Sequence, residues 1–207
     1  MNQRLFWNFE IKQESSLDWP ALPSEEKDAL KWEARFFWPE NEIIVLHGLD
    51  EQFMDLTRYE IKRREDCYIL LEDFDYNIKK RKGNLLYKPQ LHMEHQIRGF
   101  AKKINLEHSA PETALPGCTV ESISSLLDKL QKGEEITVHK IALIYPFQTQ
   151  PSVKLELARL HVHGKIYFTV CVEGRSFNLV RQITQHLLPG KKTVDYVNFL
   201  KRQLHHD

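Results

Sequence analysis

Residues 77–91, NIKKRKGNLLYKPQL, read as a β-hairpin that carries five cations and no acid. With side chains alternating along a strand, Asn77, Lys79 and Arg81 share one face and Ile78, Lys80 and Lys82 share the other. One face is therefore polar along its whole length. A two-residue turn at Gly83-Asn84, type II′ with glycine in the first central position, would set Lys79 directly opposite Lys88. Like charges opposed on a sheet are unfavourable by a fraction of ~1 kcal/mol in water, and by more once dehydrated. Two arrangements relieve the repulsion. The lysines can guard a sheet edge against edge-to-edge pairing, or the face can turn inward to meet a bound polyanion or an interleaved carboxylate.

The chain as a whole offers no general pull on anions, because its 29 basic and 29 acidic residues cancel. General binding to nucleic acid or to a membrane surface is not expected, and any anion site must be local. Cys67, Cys118 and Cys171 are isolated thiols with no C-x-x-C pair, which fits a reducing cytoplasm better than a disulfide framework or a zinc knuckle. No signal-length apolar run opens the chain, and about 18 consecutive apolar residues occur nowhere in it.

Outward from the hairpin, a loop-like stretch at 15–24 separates an N-terminal arm, residues 1–30, from the main body, residues 31–207. The arm and the start of the body are aromatic-rich, with Trp7, Phe9, Trp19, Trp32, Phe36, Phe37 and Trp38. Packing of the arm on the body is favoured over a patch for a protein partner, although the second remains open. Ser24-Glu-Glu-Lys reads as a helix start, Lys31–Trp38 as a strand ended by Pro39, and Asn41–Leu49 as a short helix. Thr57–Leu71 reads as two β segments meeting near Glu65-Asp66. Thr119–Leu130 has a Thr cap and helical apolar spacing. Strands follow over Ile136–Tyr145, Val153–Val162 and Lys165–Glu173, then two helices over about Ser176–Leu188 and Thr193–Leu204, with Gly190 as a stop. The order is mainly β with helices inserted and appended, an α+β arrangement without βαβ alternation.

These pieces together resemble the CYTH superfamily, the triphosphate tunnel metalloenzymes, in its divergent bacterial members. The resemblance runs from about Lys31 to Leu204. It rests on Trp32-Glu-Ala-Arg-Phe36, on Tyr68-Ile-Leu-Leu71 followed by Asn77-Ile-Lys-Lys-Arg81 and Leu85-Leu-Tyr-Lys88, and on the closing strand pair Val153–Glu173. It implies an antiparallel barrel or tunnel of about eight strands with a polar interior and helices outside. It further implies that Arg35, Lys79, Arg81, Lys88 and Lys140 bind the phosphates of a triphosphate or inorganic polyphosphate. Glu33, Glu156 and Glu173 would then hold Mg²⁺ or Mn²⁺, since these hard cations prefer carboxylate oxygens and polarise a phosphoryl group toward water.

Catalytic members of that superfamily begin with Glu-x-Glu-x-Lys, and the same register here holds Glu33, Arg35 and Phe37. Exchanging a carboxylate for Arg favours direct anion binding over metal binding at that point. Two functions therefore stand side by side: a metal-dependent phosphohydrolase, and a catalytically inactive anion-binding or protein-interaction module. A lipocalin-like carrier would need an apolar interior, which the Lys79 and Arg81 face opposes. His161-x-His163 and His92-Met-Glu-His95 lack further ligands at diagnostic spacing and read as surface histidines.

Overall fold

The structure, a computed structural model, describes residues 2–12, 22–119 and 122–204. In chain order its strands are β1 (Asn2–Phe6), β2 (Phe9–Lys12), β3 (Lys31–Pro39), β4 (Ile44–His47), β5 (Glu60–Leu70), β6 (Asn77–Arg81), β7 (Asn84–Lys88), β8 (Gln90–Glu94), β9 (Ile97–Phe100), β10 (Ile104–Asn105), β11 (Glu134–Pro146), β12 (Val153–Val162) and β13 (Lys165–Gly174). The α-helices are α1 (Ile123–Leu130), α2 (Phe177–Leu187) and α3 (Tyr196–Leu204).

Ten strands form one sheet in the order β10-β7-β6-β5-β11-β12-β13-β3-β9-β8, and every neighbouring pair in it is antiparallel. The α+β class holds, but the main sheet has ten strands among the described residues instead of about eight. Short strands that carry little alternation account for the excess: β10 has two residues, and all five residues of β8 are exposed. The sheet is strongly curled. β7 and β3 lie six ladder steps apart, yet Lys88 on the first ion-pairs Glu33 on the second across the concave side.

The opening hairpin differs from its expected register. Lys82 and Gly83 form the turn, with φ of 50° and 73°, so Arg81 pairs with Asn84, Lys79 with Leu86 and Asn77 with Lys88. Two left-handed residues make a primed turn whose twist suits a hairpin, and the Asn84 side-chain amide fixes it by donating to Lys82 O at 3.0 Å. The slip from the expected pairing is two residues, an even number, so the faces stay as read and only the direct Lys79–Lys88 opposition disappears.

Other local readings are corrected too. Asn41–Leu49 holds strand β4 instead of a helix; it pairs parallel with β2, burying Ile44 and Leu46 alternately. Ser24–Lys27 is irregular, because Glu25 N and Asp28 N donate out of the segment, to Gln150 O and Arg175 O, instead of starting a helical turn. β5 runs unbroken through Glu65-Asp66, since alternation sends Glu65 outward to water and Asp66 inward to two cations. α1 is capped by Ser122, which accepts from Ser125 N, while Thr119 N is taken by the Tyr76 hydroxyl. Val120, Trp19 and most of the loop at 15–24 lie outside the described residues.

The convex face carries two apolar patches. Along β3, β13 and β12 the buried residues Ala34, Phe36, Val170, Val172, Leu155 and Leu157 pack under α2 and under the small sheet β1-β2-β4, which contributes Phe9, Ile11, Ile44 and Leu46. Phe6 and Trp7 are partly buried against the same cluster, so the described part of the arm packs on the body. Along β5, β6 and β7, Ile69, Ile78, Leu85 and Tyr87 pack under Ile123, Leu126 and Leu130 of α1. On the concave face a small apolar patch of Ala142, Ile144 and Ala158 lies among the charges, and the larger one is at one end. There α3 inserts Val197, Phe199 and Leu200 against Tyr68, Leu70, Ile136, Val138 and Leu160, with Phe37 stacked on Phe199 at 3.9 Å between ring centroids.

Candidate anion-binding cavity

Beyond the α3 plug, the concave face leaves a cavity of about 390 Å³. Thirteen lysines and arginines and four acids line it, in a chain whose total charge is zero. Strand alternation produces this lining: Lys31, Glu33 and Arg35 from β3, Lys62 and Arg64 from β5, Asn77, Lys79 and Arg81 from β6, and Lys154 and Glu156 from β12 all point inward. All eight residues singled out from the sequence, Arg35, Lys79, Arg81, Lys88, Lys140, Glu33, Glu156 and Glu173, border this single cavity.

Each carboxylate in it is already engaged. Glu156 accepts from Arg35 Nη1 at 2.9 Å and from Lys140 Nζ at 3.0 Å through both of its oxygens. Glu33 is bonded by Lys88, Glu173 by Lys31 at 2.8 Å, and Asp195 by Arg98 at 3.2 Å. Behind the wall, buried Asp66 takes Lys79 at 3.2 Å and a two-pronged contact from Arg81. Asp66 was not anticipated. Its signal was the inward parity it shares with Arg64 and Tyr68, which the expected break in β5 concealed.

The electrostatics follow from these pairs. Burial opposes ionisation of Glu33, but Lys88, Arg35 and Lys31 outweigh it and hold the carboxyl at about 2. Burial also opposes the Glu156 charge, and Lys140 with Arg35 again prevails, keeping it well below the usual carboxylate range. Lys79 goes the other way. Loss of hydration lowers its pKa to about 8, with Asp66 only partly restoring it and Arg81 depressing it further. Lys103 is an exposed side chain overall, yet partial dehydration and the fields of Lys79, Arg81 and Lys88 bring it down to about 8 as well. Among the described residues, Arg64, Lys102, Lys103 and Lys154 make no ion pair within 4.0 Å, and Glu60 and Glu33 reach Arg64, Lys154 and Lys103 only at longer range.

The cavity is graded in depth. Lys31, with 41% of its side chain exposed, and Lys62, with 31%, stand at the mouth, while Arg35, Lys79 and Lys140 at 8–11% lie within. Tyr196 and Tyr68, stacked with centroids 5.0 Å apart, form the floor; Arg35 lies over the Tyr196 ring at 5.3 Å, and Lys79 donates to the Tyr68 hydroxyl at 3.1 Å. Phe37, where the resemblance expects a lysine, belongs to the plug.

Among the described residues, one group of three potential metal-holding side chains already has all its ligand atoms within 4.8 Å of one another: Glu33, Cys171 and Glu173. Glu33 and Glu173 are direct cross-strand partners. Glu156 stands apart from them, opposite Cys171 and locked by its two cations. The histidine motifs join no such group. His92 and His95 lie beside exposed Glu94, and His163 occupies the β12–β13 turn with φ of 46°.

No family model matches the chain, and no curated protein matches it. Among solved structures, the chain is similar to a protein from Bacillus halodurans described as a "putative adenylate cyclase". The identity is 11% and the TM-score 0.41, over 79% of this chain and 96% of the other. No helix among the described residues is long and apolar enough to cross a membrane.

Proposed function

We propose that this protein binds a triphosphate or a linear inorganic polyphosphate in the cavity of the curled sheet, as a CYTH-like anion receptor. The observation that carries this reading is the imbalance of thirteen cations against four acids lining one cavity, which persists when Asp66 behind the wall is added to the acids. An oligophosphate supplies several negative charges on one flexible chain, and arginine and lysine match its oxygens in geometry and charge. A single carboxylate or orthophosphate would leave most of the lining uncompensated.

Hydrolysis is the second reading, and the Glu33–Glu173 pair favours it. Mg²⁺ commonly takes one or two carboxylates and completes its shell with phosphate oxygens and water. The donor set fits such an ion once a phosphate chain draws Lys31 and Lys88 away, and it does not extend to Glu156. A divalent ion held there would neutralise charge on the phosphoryl group and polarise it. The Arg35–Glu156–Lys140 cluster favours the binding reading, because it spends an acid on holding cations in place.

Melting temperature measured with tripolyphosphate or orthophosphate, with and without Mg²⁺ or Mn²⁺, tests both readings when phosphate release is assayed in the same tubes. Tripolyphosphate is expected to raise the melting temperature by several degrees, orthophosphate by far less, and Arg64→Ala with Lys103→Ala to diminish the gain. An equal response to both anions, or none to either, would end the oligophosphate reading. Metal-dependent phosphate release that disappears in Glu173→Gln would establish hydrolysis.

A further inference from the structure

On the convex face, a row runs from the middle of β5 through β11 to the end of β12. Glu65, His139 and His161 stand in it, since Glu65 pairs with His139 across β5–β11 and His139 with His161 across β11–β12. All three are exposed and share the outward face. His139 Nδ1 lies 3.4 Å from Glu65 Oε2, and the two imidazole centroids are 6.2 Å apart. A tetrahedral ion with bonds of ~2.1 Å holds neighbouring donors about 3.4 Å apart, which is the separation found between the first two groups. The His161 donor does not yet lie within 4.8 Å of both other groups, so its ring must rotate toward them, and its exposure gives it room to do so.

We propose that Glu65, His139 and His161 form a surface site for a divalent transition metal of the Zn²⁺ or Cu²⁺ class, with water in the fourth position. Two imidazoles and one carboxylate suit these ions and not Mg²⁺ or Ca²⁺, which prefer oxygen throughout. Arg63 and Arg159 flank the neighbouring row, where Ile141 stands between them, so the donors themselves carry no cation in their row. The ion would join three adjacent strands whose inward neighbours Arg64 and Lys140 line the anion cavity, yet the site does not depend on what that cavity binds. The His-x-His pattern at 161–163 thus misleads: the partner of His161 is across the ladder, and His163 is in the turn.

Zn²⁺ titrated calorimetrically into the tag-free full chain is expected to bind one equivalent at this site. His139→Ala and His161→Ala should each weaken it by about tenfold or more, the loss seen even for residues that merely support metal ligands. His92→Ala should leave it unchanged. Cu²⁺ in place of Zn²⁺ should give an electron paramagnetic resonance spectrum with two coordinated nitrogens in the parent and one in either variant. Because both histidines are exposed, the variants keep their packing. Zn²⁺ affinity indifferent to both substitutions, or a Cu²⁺ spectrum with fewer than two nitrogens, would overturn the proposal.

Discussion

The two ends of the concave face are built from the same strands and obey the same alternation, yet they do opposite things. At one end Phe37, Tyr68, Val138 and Leu160 meet α3 and are buried among hydrocarbon. A few residues along those strands, Arg35, Asp66, Lys140 and Glu156 face the same way and are buried among charges. The apolar end needs no partner beyond α3. The polar end is held by acids too few to neutralise its cations, so it keeps an excess of positive charge. A fold can bury charge in this way when each buried cation has a carboxylate within reach and the remaining cations stay near the mouth.

The sharpest way to break the comparison is to remove the plug's main ring. Phe199→Ala is expected to lower unfolding free energy by about 3–5 kcal/mol, the usual range for deleting a buried aromatic, as read by urea denaturation. Tripolyphosphate affinity should change far less, since Phe199 does not line the cavity. An affinity loss as large as the stability loss would mean that the two ends are one cooperative unit.

The contrast between the ends was half legible in the chain. Period-two alternation in residues 77–81 and 153–158 separated a polar face from an apolar one, the resemblance to a polar tunnel turned the polar face inward, and the eight side chains it named border one cavity despite a turn misplaced by one position. Faces survive an even slip in register, so the site was more robust to that error than the pairing. The plug was harder to see. Phe37 reads as an anomaly in a basic strand until α3 is placed, and nothing local in YVNFLKRQL tells which face of which sheet it enters. Asp66 was hidden by charge, because Glu65-Asp66 reads as a turn when its opposite-facing contacts are unknown. Strands β4 and β9 were missed for a similar reason, since they pair with β2 and β3, distant in sequence, while β8 is an edge strand beside β9 that buries none of its five residues.

Glu156→Gln sharpens the comparison from the polar side. Neutralising this acid leaves Arg35 and Lys140 buried with their charges uncompensated, and stability should fall by about 1–3 kcal/mol. The same change raises the net positive charge of the cavity, so tripolyphosphate should bind more tightly, not less. Opposite signs in the two measurements are the expected result, and a parallel loss of stability and affinity would show that Glu156 positions the cations more than it restrains them.

The smallest effect is the dependence on pH, and its sign separates the ends once more. In the unfolded chain Lys79 titrates near ~10.4, whereas in the fold burial brings it to about 8. Between these values the unfolded chain holds a proton that the folded one has released, so the Lys79 contribution makes stability rise with pH across that window; below about 8 the cost of the buried charge is fully present. Lys103 acts in the same direction, more weakly because water reaches it. Anion binding should run the other way, falling as pH rises through 8, because the cations that meet the phosphate lose their charge. The floor tyrosines stay neutral throughout, since burial pushes Tyr68 and Tyr196 above their ordinary range. Tripolyphosphate affinity measured from pH 7 to 9.5 in the parent and in Lys79→Gln therefore isolates the polar end: the decline should be several-fold in the parent and shallower in the variant. Identical profiles would remove Lys79 from the binding surface and leave it as a structural partner of Asp66.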